Sequence, residues 1–353
     1  MVFIPFILFL LILIFCLIKL SLKIEYFIGG IILGLILLFA VIAADEVAQT
    51  TDTEVWSGSV IDWKHTEEYD EKVYEKDKDG NVTGYHYDHH YAENKIKTSD
   101  NGWITVKKSP DGKKFTDKWP NKTSELKEIW PEGTPTASSH TYVNKIQASY
   151  SIYKHEEIDL DQYKDLPKYP DKTYDYLYID RIVGDFPNEL ESRKLLDQWN
   201  TELNKFIPDP EKPGKNRSWK QVNIIFVNVG PGKSVDYGFA LQDYWEGGNK
   251  NDFVVSLSME KDGTINWVYP FSWSEVEILK IEVRDYITNL KVINDLSPII
   301  DKVSQMVADK FERKQFADYN YLNIDVSNGA IVSIWVLFII LSLGAITISV
   351  REF

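Results

Sequence analysis

Six histidines, His65, His86, His89, His90, His140 and His155, are the residues of this 353-residue chain best suited to ligating a metal or moving a proton. The densest group is Tyr85-His86-Tyr87-Asp88-His89-His90. Side chains alternate along a β-strand, so His86, Asp88 and His90 would share one face. That row offers two imidazoles and a carboxylate, a ligand set that suits zinc or a similar divalent ion, with His65 or His140 completing the shell. The competing expectation is a solvated polar face of a hairpin. The only cysteine, Cys16, lies inside an apolar run. The chain therefore has neither an internal disulfide nor a thiolate metal site.

A second group of candidate ligands is the turn from Asn249 to Asp252, with Asp236 and Asp243 near it in sequence. Its amide and carboxylate oxygens, Asn251 and Asp252 above all, suit a hard cation such as calcium. Val229-Gly230-Pro231-Gly232-Lys233-Ser234 has a phosphate-loop flavour, but Val227 stands where that pattern needs glycine. A plain strand-to-helix turn is the expectation there. No Ser/His/Asp order and no paired-carboxylate motif stands out, and no cofactor is required by any motif.

These groups must be carried by elements, and the hydrophobic pattern divides the chain sharply. Residues 2–18, 26–44 and 330–350 are apolar runs. A bilayer span needs roughly 20 apolar residues, with about 17 as the lower edge. The pattern predicts three transmembrane helices, the first two forming a hairpin over residues 1–44 and the third lying in 329–353. Lys19, Lys23 and Arg351 flank the same side, which the positive-inside rule makes cytoplasmic. Residues 45–329 are then extracytoplasmic, in the periplasm or outside the cell, and the C-terminus is cytoplasmic. Residues 1–18 lack the basic start of a signal peptide, although Val41-Ile42-Ala43 resembles a weak cleavage site. Gly30 and Gly34 form a GxxxG, a pattern that lets two helices approach closely and would suit a homo-oligomer.

The region between the spans is acidic. The whole chain carries 53 Asp and Glu against 39 Lys and Arg, a net charge of −14. Such a surface repels phosphate backbones, which excludes nucleic acid as a partner and leaves the lipid bilayer and other membrane proteins. Residues 45–175 read as a β-rich domain. Val, Thr, Tyr and Trp are dense over 53–107, with turns at Lys78-Asp79-Gly80-Asn81 and Asp100-Asn101-Gly102. Residues 108–139 read as loop, 140–154 as a strand, and 160–175 as a joint.

Residues 176–328 read as a separate α/β domain. A helix over 188–207 precedes the buried-type strand VNIIFVNV at 222–229. A helix over 235–245 and the strand DFVVSLSM at 252–259 follow. The strand TINWVYP comes next, then two helices. The first is opened by the capping box Ser272-x-x-Glu275 and carries Leu279 and Val283 inward with Lys280 and Arg284 outward. The second opens at Ser297-Pro298. The fold class is thus an α+β membrane protein whose two apolar strands lie side by side under helices.

The order of these parts over residues 186–317 resembles the TPM domain family, an extracytoplasmic α/β domain of the thylakoid-repair and MOLO type. The resemblance rests on VNIIFVNV, on the helix ending at Trp245, and on Gly247-Gly248-Asn249-Lys250-Asn251-Asp252 before Phe253-Val254-Val255. The family turn usually reads Asp-Asn-Gly, where this chain has Asn251-Asp252-Phe253. The resemblance implies membrane tethering, and it implies the calcium binding and phosphatase activity attributed to some members. The whole layout is also similar to uncharacterised membrane proteins of large tailed phages, an impression carried by SSHTYVNKI at 138–146. The function expected from all of this is a membrane-anchored interaction or assembly protein without catalysis. The alternative is a metal-dependent, phosphatase-like hydrolase using the histidines or the Asn/Asp turn.

Overall fold

A computed structural model describes residues 2–20, 22–116, 119–149, 155, 157–170 and 179–351. Along the chain run α1 (Ile4–Lys19), α2 (Ile24–Thr50), β1 (Thr51–Thr66), β2 (Tyr69–Lys76), β3 (Val82–His90), β4 (Glu93–Thr98), β5 (Gly102–Thr105), α3 (Thr123–Ile129) and β6 (Pro135–Val143). They are followed by β7 (Ile182–Val183), α4 (Glu189–Leu203), β8 (Phe206–Pro208), β9 (Asn216–Ser218), β10 (Asn223–Asn228) and α5 (Asp236–Tyr244). The last are β11 (Asp252–Met259), β12 (Ile265–Phe271), α6 (Glu277–Leu290), α7 (Ser297–Lys310) and α8 (Asn328–Arg351). The ends of two expected segments, 150–154 and 171–175, lie outside the described residues. Two compact units form. One comprises Met1–Asp52, Thr141–Ile152 and Phe316–Phe353, and the other comprises Thr53–His140 and Tyr153–Gln315.

In the first unit α1, α2 and α8 share an apolar core built from Phe6, Phe9, Leu13, Leu38, Ile334 and Phe338. α2 and α8 are long and apolar enough to cross a membrane, whereas α1 has only 16 residues. At about 1.5 Å per residue α1 reaches about 24 Å, short of the roughly 30 Å of a hydrocarbon core. The expected three spans are therefore corrected to two. The helix begins only at Ile4, with Pro5 in its first turn, so the apolar run 2–18 is not used in full. The GxxxG has a partner within the chain. A Cβ on Gly30 would lie 3.2 Å from Leu13, and one on Gly34 would lie 3.1 Å from both Phe6 and Phe9 and 3.3 Å from Phe338. At the helix ends, the Asp45 carboxylate accepts the Ser327 N–H at 2.9 Å and its O–H at 2.6 Å, which fastens the start of α8.

The second unit contains two four-stranded sheets. The first has the order β5-β4-β1-β6 and covers a core of Val60, Ile96, Ile104, Leu126 and Trp130. Leu126 and Trp130 come from α3 and its end, so the loop expected over 108–139 in fact includes a helix there. Past this sheet, β2 and β3 continue as a separate two-stranded antiparallel ribbon. Most of the two segments expected as separate domains falls in this one unit, while 45–52, 141–152 and 316–328 belong to the first. Ionic and amide contacts from β1 explain why. Buried Glu54 pairs with Lys250 at 3.1 Å and with Arg313, the Asn251 amide donates to the Val55 carbonyl at 2.7 Å, and Arg181 donates to Ser57 at 2.7 Å.

The second sheet has the order β12-β11-β10-β7, with β7, β10 and β11 parallel and β12 antiparallel. The two apolar strands are neighbours, as their pattern predicts. Both faces are covered. Ile224, Phe226, Phe253 and Val255 pack under α4, α6 and α7, while Ile225, Val227 and Val254 pack under Leu241 and Trp245 of α5 and its end. The crossover β7–α4–β10 thus runs over one face and β10–α5–β11 over the other. Both advance in the same direction across the sheet, so the two crossovers are of opposite hand.

Candidate functional site

The predicted histidine face forms as a face but does not close into a metal site. β3 pairs with β2 in a register that sets Val73 opposite His86, Glu71 opposite Asp88 and Tyr69 opposite His90. Each imidazole then finds a carboxylate from the ribbon. His86 lies 3.2 Å from Glu75 and 3.3 Å from Asp88, and His90 lies 3.1 Å from Glu71 and stacks on Tyr69. The expected completing residues are elsewhere. His65, on β1, is 2.8 Å from the Asn94 side chain, and His140, on β6, stacks on Trp56 and meets Ser138 at 2.9 Å. Among the described residues no three His, Cys, Asp or Glu groups come together as a metal site. The candidate zinc ligands His86, Asp88, His90, His65 and His140 thus stand in three places, the ribbon, β1 and β6, each histidine with a partner of its own.

Asn251 and Asp252, the candidate calcium ligands, lie at the start of β11. Both residues are fully buried. The Asp252 carboxylate accepts from Asn223 at 2.9 Å, from the Asn249 N–H at 2.8 Å and from Tyr169 at 2.7 Å. Its oxygens serve as the fastening of a turn, since a buried carboxylate is stable only when its lone pairs are satisfied. Asp243 is likewise engaged, by the ring and the backbone N–H of His155 at 2.6 and 2.9 Å.

A crevice of about 550 Å³ opens where the three parallel strands end. Sequence reasoning did not single it out. In parallel sheets, ligands bind outside the carboxyl ends of strands where neighbouring loops diverge to opposite faces. β7 and β10 are such neighbours, because α4 and α5 lie on opposite faces. Gly184, Asn228, Gly230 and Gly263 line the crevice along their backbones, while Phe186, Met259 and Ile293 form its apolar floor. Two glycines are required by close approach. A Cβ on Gly184 would lie 2.2 Å from the Asn228 carbonyl, and one on Gly263 would lie 2.3 Å from that of Ile293. Both also adopt φ of +87°, a region that side chains disfavour.

Side chains hold the loops rigidly around the opening. Asn228 donates to the Asp185 carbonyl at 2.8 Å and accepts the Gly230 N–H at 3.0 Å, which clips the two diverging exits together. Ser258 donates to the Gly230 carbonyl at 2.7 Å, and Glu260 accepts the Gly232 N–H at 3.0 Å and the Asn266 amide at 2.8 Å. Asp185, Glu260 and Asp262 bring three carboxylates to the lining against one cation, Lys261. The Thr264 backbone N–H holds the Asp262 carboxyl below its ordinary range, so it is charged at neutral pH. The lining holds no serine, threonine, cysteine, histidine or tyrosine among the described residues. The phosphate-loop-like segment forms the turn between β10 and α5, as expected. Lys233 faces away from the crevice, bound to Asp165 and to Tyr237 at 3.2 Å.

No protein-family model matches the chain, nor does any curated protein or solved structure.

Proposed function

We propose that this chain is a membrane-anchored binding protein that holds a small organic cation in the crevice beyond β7, β10 and β11. The single observation that carries the reading is the crevice itself. It is preformed by two obligatory glycines and the Asn228 clip, floored by apolar side chains and edged by an excess of carboxylates. Apolar pockets with a few convergent polar groups are the usual form of a ligand site. An ammonium group would sit among Asp185, Glu260 and Asp262 while an aliphatic or aromatic body covered Phe186 and Met259. A lining without a hydroxyl, thiol or imidazole nucleophile supports holding rather than covalent transfer. The two long apolar helices supply the anchor, and Lys19, Lys23 and Arg351 support an orientation with the crevice outside the cytoplasm. The resemblance of residues 186–317 to a tethered extracytoplasmic domain supports the same placement.

Titration of the detergent-solubilised full chain with agmatine and with choline, followed by calorimetry, tests the reading. Saturable heat with at least one of them is expected, weakened about tenfold or more by Asp185→Asn combined with Asp262→Asn, since charged hydrogen bonds contribute about 1.5–3 kcal/mol. Absence of heat with either probe, or affinity unchanged in the double variant, would exclude a cation site here.

A further inference from the structure

The two strands of the β2–β3 ribbon differ in how they treat their outer edges. β2, YDEKVYEK, carries Lys72 and Lys76 among three carboxylates. Charged edges of this kind, lysines especially, keep other strands away. β3, VTGYHYDHH, has no lysine, arginine or proline and a single carboxylate, Asp88. Its only strand partner among the described residues is β2, so its far edge presents unpaired backbone donors and acceptors. Its large side chains are also uncovered, with Tyr85 at 56% and Tyr87 at 60% exposed. A lone two-stranded ribbon is marginal in water, and a third and fourth strand stabilise it.

We infer that the occupant of this edge is a second copy of the same chain, with β3 pairing antiparallel to β3 about a two-fold axis at Tyr87. The sequence of the strand is self-complementary about that residue and about neither of its neighbours. With Tyr87 opposite Tyr87 of the second copy, His86 falls opposite Asp88 and, by symmetry, Asp88 opposite His86. On the other face Tyr85 falls opposite His89, flanking the central tyrosine pair. The five central pairs, over residues 85–89, are then imidazole with carboxylate or ring with ring, the pairings that stabilise adjacent strands, and beyond them Gly84 falls opposite His90. Centring on Asp88 would oppose two carboxylates, and centring on His86 would oppose two imidazoles. The faces are already sorted in the single chain. His86 and Asp88 contact each other at 3.3 Å, while Tyr85 and Tyr87 meet edge to face on the opposite side. Pairing joins two ribbons into one four-stranded sheet, the strand-addition mode of recognition. It is independent of the crevice and of any ligand held there.

Cysteine cross-linking and solution mass test the pairing on the full chain in detergent. In a Cys16→Ser background, Tyr87→Cys places two thiols opposite each other at a cross-strand Cβ separation of about 4.5–5.5 Å, close to disulfide reach. Mild oxidation is expected to give a covalent dimer with Tyr87→Cys and none with Val73→Cys on β2. Light scattering of the unmodified chain is expected to show a dimer. Asp88→Lys would raise its dissociation constant about tenfold through two symmetric contacts, and adding His86→Glu would restore it. A monomer at every concentration would overturn the inference. So would a dimer indifferent to Asp88→Lys, or equal cross-linking by Tyr87→Cys and Val73→Cys.

Discussion

Leu279 and Lys280 are adjacent in sequence and show how far residue-scale reasoning reaches. Leu279 is fully buried beneath α6 and meets the sheet core. Truncation to alanine removes three carbons from a close-packed site and is expected to cost about 2–5 kcal/mol, seen as a lower urea midpoint with unchanged slope. Lys280 does not turn outward as periodicity predicts. Its side chain is only 16% exposed, reaching Glu277 at 2.6 Å and the Ser272 carbonyl at 3.3 Å. Lys280→Ala should still cost no more than about 1 kcal/mol, because neither contact is buried among uncompensated charges. The histidines teach a related lesson. Alternation correctly places His86, Asp88 and His90 on one face, but it cannot say which residues of the neighbouring strand face them. Glu71 and Glu75 arrive there through register, and register is a property of the hairpin as a whole.

Element by element, the long periodic segments were legible and their ends were not. Helices over 188–207 and 235–245 and strands over 222–229 and 252–259 form within a few residues of expectation. The capping box did not hold. α6 begins at Glu277, because the Ser272 hydroxyl donates instead to the Asp252 carbonyl at 2.6 Å and accepts the Ser274 N–H, while Glu275 pairs with Lys314 at 2.6 Å. Tertiary partners outbid a local signal. β7, with two residues, was too short for any periodicity to reveal, and the residues that follow it, Gly184 to Pro187, line the crevice. Just before α7, whose N-cap is Leu296, the Asp295 carboxylate accepts the Ser297 N–H at 2.9 Å and the Asn188 amide at 3.1 Å. Those donors lower its pKa, the Ser297 N–H most. A lowered carboxyl pKa contributes stability above its ordinary range that is lost as pH falls through the folded value. Loss of these hydrogen bonds in Asp295→Ala is expected to cost about 1 kcal/mol at neutral pH. The gap between the two proteins should close on acidification below the ordinary carboxylate range, as measured by thermal unfolding across pH; a constant gap would show that the charged carboxylate contributes nothing.

At the scale of the molecule, the two long apolar helices were legible in the hydropathy and the grouping of segments was not. The division at 175/176 follows a change of pattern, yet Glu54 and Arg181 tie both sides into one unit through contacts more than a hundred residues apart in sequence. The proposed sidedness makes a direct prediction. In a Cys16→Ser chain within intact cells, a cysteine at Asp79 should react with an impermeant thiol reagent and one at Lys23 should be protected until the membrane is opened; the opposite pattern reverses the orientation. The GxxxG cradle adds a constraint of a different kind, one of timing. Gly34 touches Phe6 and Phe9 of α1 and also Phe338 of α8. The ribosome makes the first two partners at once and the third only after all of residues 51–327 have emerged. Throughout that interval the face of Gly34 turned toward Phe338 stays uncovered, so the nascent hairpin must persist half-packed until α8 is made.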